Sequence, residues 1–289
     1  MTITQILRST QQALTPIAHE NAALEARLLV QHACNMTAED LLRNSDKPLE
    51  EAQIETLQHY VARRACHEPM AHILGYKDFW KDRFRVTADV LTPRADSETV
   101  IEALLHHVPD KTAPLKILEL GVGSGCLLLS ALREYPNAHG TGVDISEKAL
   151  EVAKTNAESL HLTARSAFFR GSWCKPLDKA ETFDIVISNP PYIAHAAIAR
   201  LMPGVQGFEP HLALDGGDDG LHCYREIFAE IRSHTHTGTI LLVEIGESQA
   251  QDITAIAQSS GFSLREARHD LGGIVRVLVF GINQGEAVQ

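Results

Sequence analysis

Long hydrophobic runs, paired cysteines and an excess of positive charge are all missing from this sequence of 289 residues. No apolar run approaches the roughly 20 residues that a membrane span needs. The first residues also lack the basic and apolar regions of a signal peptide. The five cysteines are scattered and never spaced as C-x-x-C, which argues against a zinc site and favours buried free thiols in a reducing compartment. We therefore expect a cytoplasmic protein without a membrane partner.

Fifteen histidines raise the question of a metal site. The densest groups, residues 106–107 and 234–236, fall near predicted helix ends or loops and have no carboxylate or cysteine at ligand spacing. We therefore expect no metal.

The charge of the chain is acidic, with a formal net value of −11. Residues 1–95 hold 11 Lys and Arg against 12 Asp and Glu, net −1, whereas the remainder holds 15 against 25, net −10. An acidic surface repels phosphate backbones, so we expect no direct nucleic-acid partner. One basic cluster is visible, and it is either a solvated face or a docking site for an RNA-associated partner: Arg63, Arg64, Lys77, Lys81, Arg83 and Arg85.

The first 75 residues predict a small helical domain. Apolar residues recur at helical spacing in residues 3–14, 21–34 and 49–66, and Thr37 is placed to cap a short turn between the last two. Near alternation of apolar and polar residues over 77–86 predicts a β-hairpin within a connector of residues 76–95. A helix near residues 96–107 then opens a catalytic domain of residues 96–289.

Strand and helix patterns alternate from residue 115 onward. This order predicts an α/β fold with a doubly wound, mainly parallel sheet, whose ligand sits at the carboxyl ends of the strands. The strand patterns cover residues 116–120, 139–143, 167–169, 183–188, 239–244 and 274–280.

A glycine-rich turn, Gly121-Val122-Gly123-Ser124-Gly125, lies between the first of these strands and a helix. Glycines there permit positive φ and close approach of a ligand to the backbone, and the helix start presents free N–H groups. The spacing is G-x-G-x-G, whereas dinucleotide sites use G-x-G-x-x-G, so a ligand without a pyrophosphate is favoured over a nicotinamide cofactor.

Asp144 ends the next strand, about twenty residues beyond the glycine turn. An acidic side chain at this position can accept both hydroxyls of a ribose. Asp144 or Ser146 could instead cap the following helix. We favour ribose binding, which implies a nucleoside ligand.

The segment Asn189-Pro190-Pro191-Tyr192 follows the apolar run of residues 184–188. Neither proline can donate a ladder hydrogen bond, so the chain leaves the sheet at Asn189 with rigidly aimed carbonyl groups. With an amide and an aromatic ring beside them, these carbonyls can bind a planar NH2 group. The alternative is a plain turn after a strand.

These motifs resemble those of the peptide chain release factor N5-glutamine methyltransferases of the HemK/PrmC type. The likeness runs nearly end to end and rests on residues 68–75, 79–80, 91–98, 121–125, 144–146, 171–173, 189–192, 209–210, 213–214, 219–221, 244–246 and 249. Ala95 and Ser97 depart from the family, in which many members carry proline and threonine there.

The resemblance implies a class I S-adenosylmethionine-dependent methyltransferase with a Rossmann-like, seven-stranded, mainly parallel sheet and a helical N-terminal domain. The implied reaction methylates the glutamine of a Gly-Gly-Gln tripeptide in release factors, which are the expected protein partners. The implied cofactor-binding residues are Gly121, Val122, Gly123, Ser124, Gly125, Asp144, Trp173 and Asn189. Glu119 joins them as a candidate in its own right, because its carboxylate at the strand end could face the charged groups of the cofactor. The implied substrate-binding residues are Asn189, Pro190, Pro191 and Tyr192.

The chemistry of such a transfer assigns catalytic roles to Asn189, Pro190 and Tyr192. The side-chain oxygen of Asn189 and the Pro190 carbonyl would each accept one N–H of the substrate amide, and Tyr192 would stack on its plane. Glu119 is the candidate for electrostatic support, and a surface or capping carboxylate is the equal alternative. Residues 1–75 are expected to dock the release factor.

Two other classes of function stay open at this point. DNA adenine and RNA guanine N-methyltransferases share the Asn-Pro-Pro-Tyr loop, but they need a basic groove and stacking aromatics. A non-catalytic nucleoside-binding module would keep the glycine turn and Asp144 without needing that loop.

Overall fold

The computed structural model describes residues 1–282. The α-helices are α1 Ile3–Ala18, α2 Ala22–Cys34, α3 Ala38–Arg43, α4 Glu51–Ala65, α5 Met70–Leu74, α6 Glu98–His107, α7 Cys126–Glu134, α8 Glu147–Ser159, α9 His195–Ile198, α10 Pro203–Phe208, α11 His222–Ile231 and α12 Ala250–Ser259. The strands are β1 Tyr76–Phe79, β2 Asp82–Arg85, β3 Lys116–Leu120, β4 His139–Asp144, β5 Ser166–Arg170, β6 Phe183–Ser188, β7 Thr235–Glu244, β8 Phe262–His269 and β9 Val275–Ile282.

The chain divides into two compact units. The first comprises Met1–Tyr76 together with Met202–Phe208, and the second comprises the two stretches that remain. Residues 202–208 fall inside the predicted catalytic range of 96–289, but they group with the N-terminal helices.

Helix caps set the boundaries in the first unit. Thr2 and Thr37 each accept a backbone N–H three residues on, and the side chains of Gln5 and Asp40 return the bond as capping boxes. The predicted helix 3–14 continues to Ala18, because Pro16 lies in the last turn, where its missing N–H costs a single ladder bond. The helix predicted for 49–66 begins two residues later, at Glu51. The buried apolar residues of these helices form one core, from which Leu24 is excluded because it is exposed.

The second unit contains a seven-stranded sheet with the order β5-β4-β3-β6-β7-β9-β8. β9 is antiparallel to both of its neighbours, and the other pairs are parallel. This order confirms the predicted α/β fold. The predicted connector forms a separate two-stranded sheet of β1 and β2.

Two apolar layers cover the large sheet. Alternate strand residues enter opposite layers, as Ile185 and Ile187 do on one face and Val186 on the other. On the second face Phe228 packs edge-on against Phe262 and Phe280, with ring centroids 5.5 and 5.4 Å away. This double burial explains why the central strands read as continuous apolar runs.

The strand register places the motif residues at one edge of the sheet. Leu120 at the end of β3 pairs with Val143 on β4 and with Ser188 on β6. The glycine turn follows β3, Asn189 follows β6 and Asp144 is the last residue of β4, so the predicted convergence at the carboxyl ends is confirmed.

All five cysteines are free. Cys34, Cys174 and Cys223 are buried and Cys126 is half-buried. Cys66 is exposed, so the expectation of buried thiols is wrong at that position. Within residues 1–282, no group of three or more His, Cys, Asp or Glu side chains could hold a metal ion. Across the same residues, no helix combines the length and apolar character that crossing a bilayer requires.

Candidate active site

A cavity of about 330 Å³ opens at the carboxyl edge of the sheet, within the second unit. This volume falls in the range of small-molecule sites. Its lining includes all of the predicted cofactor residues except Gly125: Glu119, Gly121, Val122, Gly123, Ser124, Asp144, Trp173 and Asn189. The cavity therefore gathers the motifs that the sequence separates.

The glycine turn is held by backbone hydrogen bonds to the neighbouring strand. The N–H groups of Gly121 and Val122 both donate to the carbonyl of Val143, at 2.9 and 3.0 Å. Gly121, Gly123 and Gly125 all have positive φ, a backbone conformation that residues other than glycine rarely adopt. A Cβ at Gly125 would lie 3.1 Å from Leu129, so this glycine serves the packing of α7 and does not line the cavity.

Asp144 is half-buried beside this turn. One carboxylate oxygen accepts the N–H of Gly123 and the other accepts the N–H of Ser146, each at 2.9 Å. Ser146 is the N-cap of α8 and accepts the N–H of Ala149, so the capping role falls to Ser146. A carboxylate has about four acceptor positions, so Asp144 keeps acceptor capacity for a ligand hydroxyl. Burial raises the pKa of this carboxyl.

Glu119 lies on β3, and only 2% of its surface is exposed. Its carboxylate accepts the N–H of Leu128, at 2.9 Å, in the first turn of α7. The surface alternative for Glu119 is therefore wrong and the capping alternative is observed, although the residue also lines the cavity. Burial raises the pKa of this carboxyl well above its usual value. A cationic ligand in the cavity would favour the ionised form.

Trp173 is fixed in place by a partner that the sequence does not reveal. Its indole Nε1 donates to Glu226 on α11, at 2.7 Å, and its own φ is +48°, an uncommon value for a bulky residue. A Cβ at Gly121 would lie 3.8 Å from the indole ring, so the ring packs beside the glycine turn. Glu226 carries no sequence signal, since a glutamate on an amphipathic helix is ordinary.

The Asn-Pro-Pro-Tyr loop meets the cavity with part of its length. Within the described chain, the lining contains Asn189 and Pro191 but not Pro190 or Tyr192. The amide nitrogen of Asn189 donates to the hydroxyl of Ser97, at 3.4 Å. Tyr192 is half-buried and packs on the second apolar layer, and this burial raises the pKa of its phenol to about 12.

The far end of this loop is held by contacts that only the fold reveals. Gln249 donates to the carbonyls of Tyr192 and Gly220, at 3.0 and 3.2 Å, and accepts the N–H of Gly246. Gly220 has a φ of +75°, and a Cβ there would lie 2.5 Å from the Tyr192 carbonyl oxygen. The loop is thus clamped by a glutamine and by a glycine that admits no side chain.

A second pair joins two segments at the rim of the cavity. Arg94 donates to Glu209 at 2.8 Å, and the other oxygen of Glu209 accepts the N–H of Thr92 at 3.2 Å. Glu209 is 4% exposed, so its charge is balanced inside the protein. Arg94 and Pro210 line the cavity on either side of this pair. Sequence reasoning missed the pair because 115 residues separate its members.

Two models of known protein families match separate parts of this chain. The sequence matches the family models of the PrmC N-terminal domain over residues 5–75 and of the methyltransferase small domain over residues 94–203. A release factor glutamine methyltransferase of Caulobacter vibrioides is 38% identical over 279 residues, which cover 96% of this chain and 96% of that relative. One of Rhodospirillum rubrum is 38% identical over 260 residues, which cover 90% of this chain and 79% of that relative.

A solved structure shares the fold of a large part of this chain. The T. thermophilus 16S rRNA N2 G1207 methyltransferase, in complex with AdoMet and guanosine, aligns with a TM-score of 0.50 at 14% identity. The alignment covers 72% of this chain and 49% of that chain. At this identity the likeness concerns the fold alone, and with the sheet order it confirms the predicted class I methyltransferase fold. The extent and identity of the sequence matches show that this chain belongs to the release factor glutamine methyltransferase family.

Proposed function

We propose that this protein transfers a methyl group from S-adenosylmethionine to the side-chain nitrogen N5 of the glutamine in the Gly-Gly-Gln tripeptide of release factors. The observation that carries the proposal is the position of Asn189, which presents a primary amide to a cavity also lined by the glycine turn and Asp144. That arrangement occurs in a chain 38% identical to release factor glutamine methyltransferases over most of its length. The proposal includes release factors as partners and the cytoplasm as the location.

The cavity fits S-adenosylmethionine in its donor set and its charge. Asp144 has acceptor capacity for ribose hydroxyls, and Trp173 brings an aromatic side chain to the same lining, where a flat purine can pack on it. The lining also includes Glu119 and Glu226, so its acidic character suits a ligand that carries a sulfonium and an ammonium group. Bound there, S-adenosylmethionine supplies an electrophilic methyl group.

The amide nitrogen of glutamine is a poor nucleophile, because its lone pair is delocalised into the carbonyl. Asn189 counters this by orientation: its Nδ2 donates to Ser97, which leaves Oδ1 to accept an N–H of the substrate amide. The Pro190 carbonyl would accept the second N–H, so that the nitrogen points at the methyl donor. Orientation of the amide therefore makes the main contribution to catalysis. The amide nitrogen loses its proton after methyl transfer has made it positively charged.

Pro190, Pro191 and Tyr192 complete the proposed substrate loop. Pro191 lines the cavity, so it borders the path of an incoming glutamine. Tyr192 is half-buried, and its ring is proposed to pack on the amide plane once substrate binds. The clamp by Gln249 and Gly220 keeps the loop in place before substrate arrives, and such preorganisation lowers the entropy cost of alignment.

The ion pairs of the basic cluster support a protein substrate over a nucleic acid. Arg63 donates to Glu68 at 2.8 Å, and Arg64 donates to Glu25 at 2.7 Å. Arg83 donates to Asp78 at 2.8 Å. Since these cations are neutralised by neighbouring carboxylates, they do not form the unpaired basic groove that a phosphate backbone requires.

The direct test is methyl transfer from labelled S-adenosylmethionine to a purified release factor. We expect label in the release factor and none in its Gly-Gly-Gln variant with glutamine changed to alanine. Equal labelling of both proteins, or labelling of DNA or RNA in place of either, would overturn the proposal. The non-catalytic alternative predicts cofactor binding by calorimetry with no label in any acceptor.

We propose that the helical unit docks the release factor. The proposed domains are a docking domain of residues 1–75, a connector of residues 76–95 and a catalytic domain of residues 96–289. Deleting 1–75 would strip residues 202–208 of the helices that they pack with, so surface substitutions are the sharper test. Leu24 and Leu42 are exposed apolar residues of this unit. Changing both to Glu should raise KM for the release factor several-fold and leave kcat unchanged. Leu271→Glu in the second unit, where the side chain is fully exposed, is the matched control. An unchanged KM in the double variant would contradict docking through these two residues.

A further inference from the structure

A buried carboxylate lies next to Asn189 and has no role in the chemistry described so far. Glu244 ends β7, whose Val243 pairs with Ser188 directly before Asn189. Its surface is 1% exposed, and within residues 1–282 its Oε2 has no hydrogen-bond partner. Among the described residues, Ser97 and Asn189 belong to the cavity lining and Glu244 does not. The carboxylate is therefore behind the loop, where substrate does not reach.

The charged and polar groups around Glu244 come from several elements. The side chains of Ser97 and Asn189 lower its pKa by hydrogen bonding, Arg276 on β9 lowers it by its charge, and Asp96 raises it. Burial outweighs these effects and raises the pKa of Glu244 to about 7. The charge of Glu244 also acts on three neighbouring groups, the phenols of Tyr192 and Tyr224 and the thiol of Cys126. The pKa of each of these groups is raised well above the neutral range. Glu244 is thus the group of this cluster that changes charge near neutral pH.

The ionisation of Glu244 determines which way the hydrogen bonds run. An ionised carboxylate only accepts, so Ser97 must donate its single O–H to Glu244. The Ser97 oxygen can then only accept, and the atom of Asn189 that faces it must be the amide nitrogen, as observed at 3.4 Å. A protonated Glu244 can donate to Ser97 instead. The serine O–H is then free to donate to Asn189, which favours the flipped amide.

We propose that Glu244, acting directly and through Ser97, is a positioning residue that holds the Asn189 amide with its oxygen facing the cavity. In this orientation Oδ1 accepts the substrate N–H; in the flipped orientation a donor would face a donor. The inference rests on the proposed function, because it assigns Asn189 the role of acceptor toward the glutamine amide. It also makes a prediction about the amide that does not depend on turnover.

The rate of methyl transfer should depend on pH in a way that Glu244 controls. In the wild type, we expect the single-turnover rate to fall on the acid side with a midpoint near 7, since protonation releases the amide. In Glu244→Gln the side chain is neutral throughout, so this acid limb should vanish and the rate at about pH 8 should fall about tenfold. Ser97→Ala, which keeps the direct contact of Glu244 with Asn189, should show both changes in weaker form, and Ser97→Thr, which keeps the hydroxyl, should show neither.

Glu134→Gln is the matched control for loss of a buried carboxylate. Glu134 is 6% exposed and bonded to Trp80 and Lys111, and these partners hold its pKa at about 2, outside the range of the assay. Its rate profile should match that of the wild type. Cofactor affinity by calorimetry should stay within about threefold in Glu244→Gln and Glu134→Gln, because among the described residues neither of these two lines the cavity.

A second measurement reads the amide itself. The side-chain amide signal of Asn189 in a ¹⁵N spectrum, assigned by its loss in Asn189→Ala, should shift with a midpoint near 7 in the wild type and be constant in Glu244→Gln. An unchanged acid limb in both Glu244→Gln and Ser97→Ala would overturn the inference, as would an amide signal of the wild type that ignores pH. If Glu244→Gln fails to fold, Ser97→Ala decides the question. Absence of any label in a release factor would instead overturn the proposed function, and the amide titration would still be measurable.

Discussion

Replacing Glu244 with glutamine should stabilise the second unit at alkaline pH and change its stability little at acid pH. Burial raises the pKa of this carboxyl from 4.5 to about 7. Below pH 4.5 the folded and unfolded states are both protonated, so the group contributes no pH dependence there. Between the two pKa values the unfolded chain releases a proton that the folded protein retains. Stability is therefore lost as the pH rises and is fully lost above about pH 7.

The magnitude follows from the distance between the two pKa values. At about 1.4 kcal/mol for each pH unit, the ionised carboxylate lowers the free energy of unfolding by about 3 kcal/mol in total. Glutamine has no such term, so the difference in unfolding free energy between variant and wild type should grow by about 2.5 kcal/mol from about pH 5 to about pH 8.5.

Urea unfolding followed by tryptophan fluorescence measures this difference. Both tryptophans of the chain, Trp80 and Trp173, lie in the second unit, so the signal reports that unit specifically. Every other titrating group is common to the two proteins and cancels in the comparison. A difference that is equal at the two pH values, or that shrinks toward alkaline pH, would refute the assignment of a raised pKa to Glu244.

Three further substitutions separate binding from turnover and from loop geometry. Asn189→Ala should leave cofactor affinity nearly intact by calorimetry and reduce methyl transfer at least about 100-fold, since the acceptor for the substrate amide is lost; a large loss of affinity would contradict its role. Asp144→Asn should weaken cofactor binding about tenfold or more by loss of a charged acceptor, and a dissociation constant equal to that of the wild type would exclude ribose binding. Gly220→Ala should lower both the melting temperature and kcat and reduce the free energy of unfolding by about 1–3 kcal/mol. The reason is that φ of Gly220 is +75° and a Cβ there would meet the Tyr192 carbonyl. A melting temperature and kcat equal to those of the wild type would show that this contact does not hold the loop in place.

Local patterns were sufficient for most of the sheet. The strand predictions for β3 and β6 coincide with the observed bounds, because both are buried on two faces and read as continuous apolar runs. The pattern missed β8, an edge strand in which Arg265, Glu266 and Arg268 are interspersed and the register shifts twice. An edge strand needs an apolar side only where it meets the core, so its sequence signal is weak.

The site was predictable where chemistry resides in a contiguous motif. The glycine turn and Asp144 are recognisable because their spacing reflects a local strand-turn-helix geometry. Glu226 and Glu244 have no such signal, because each meets its partner only after the strands and helices have assembled. The partner of Asn189 shows the same limit, since Ser97 lies 92 residues upstream.

The first unit is assembled from pieces that the ribosome delivers far apart in time. Its closing segment, Met202–Phe208, leaves the exit tunnel about 130 residues after Tyr76, and at about 5–20 residues per second the delay is roughly 6–25 s. The fit is close, since a Cβ at Gly204 would lie 2.8 Å from the carbonyl oxygen of His67. A nascent chain that stalls in this interval has its five N-terminal helices outside the ribosome without the segment that packs on them. These helices should therefore be more sensitive to protease before Phe208 has left the exit tunnel than afterwards.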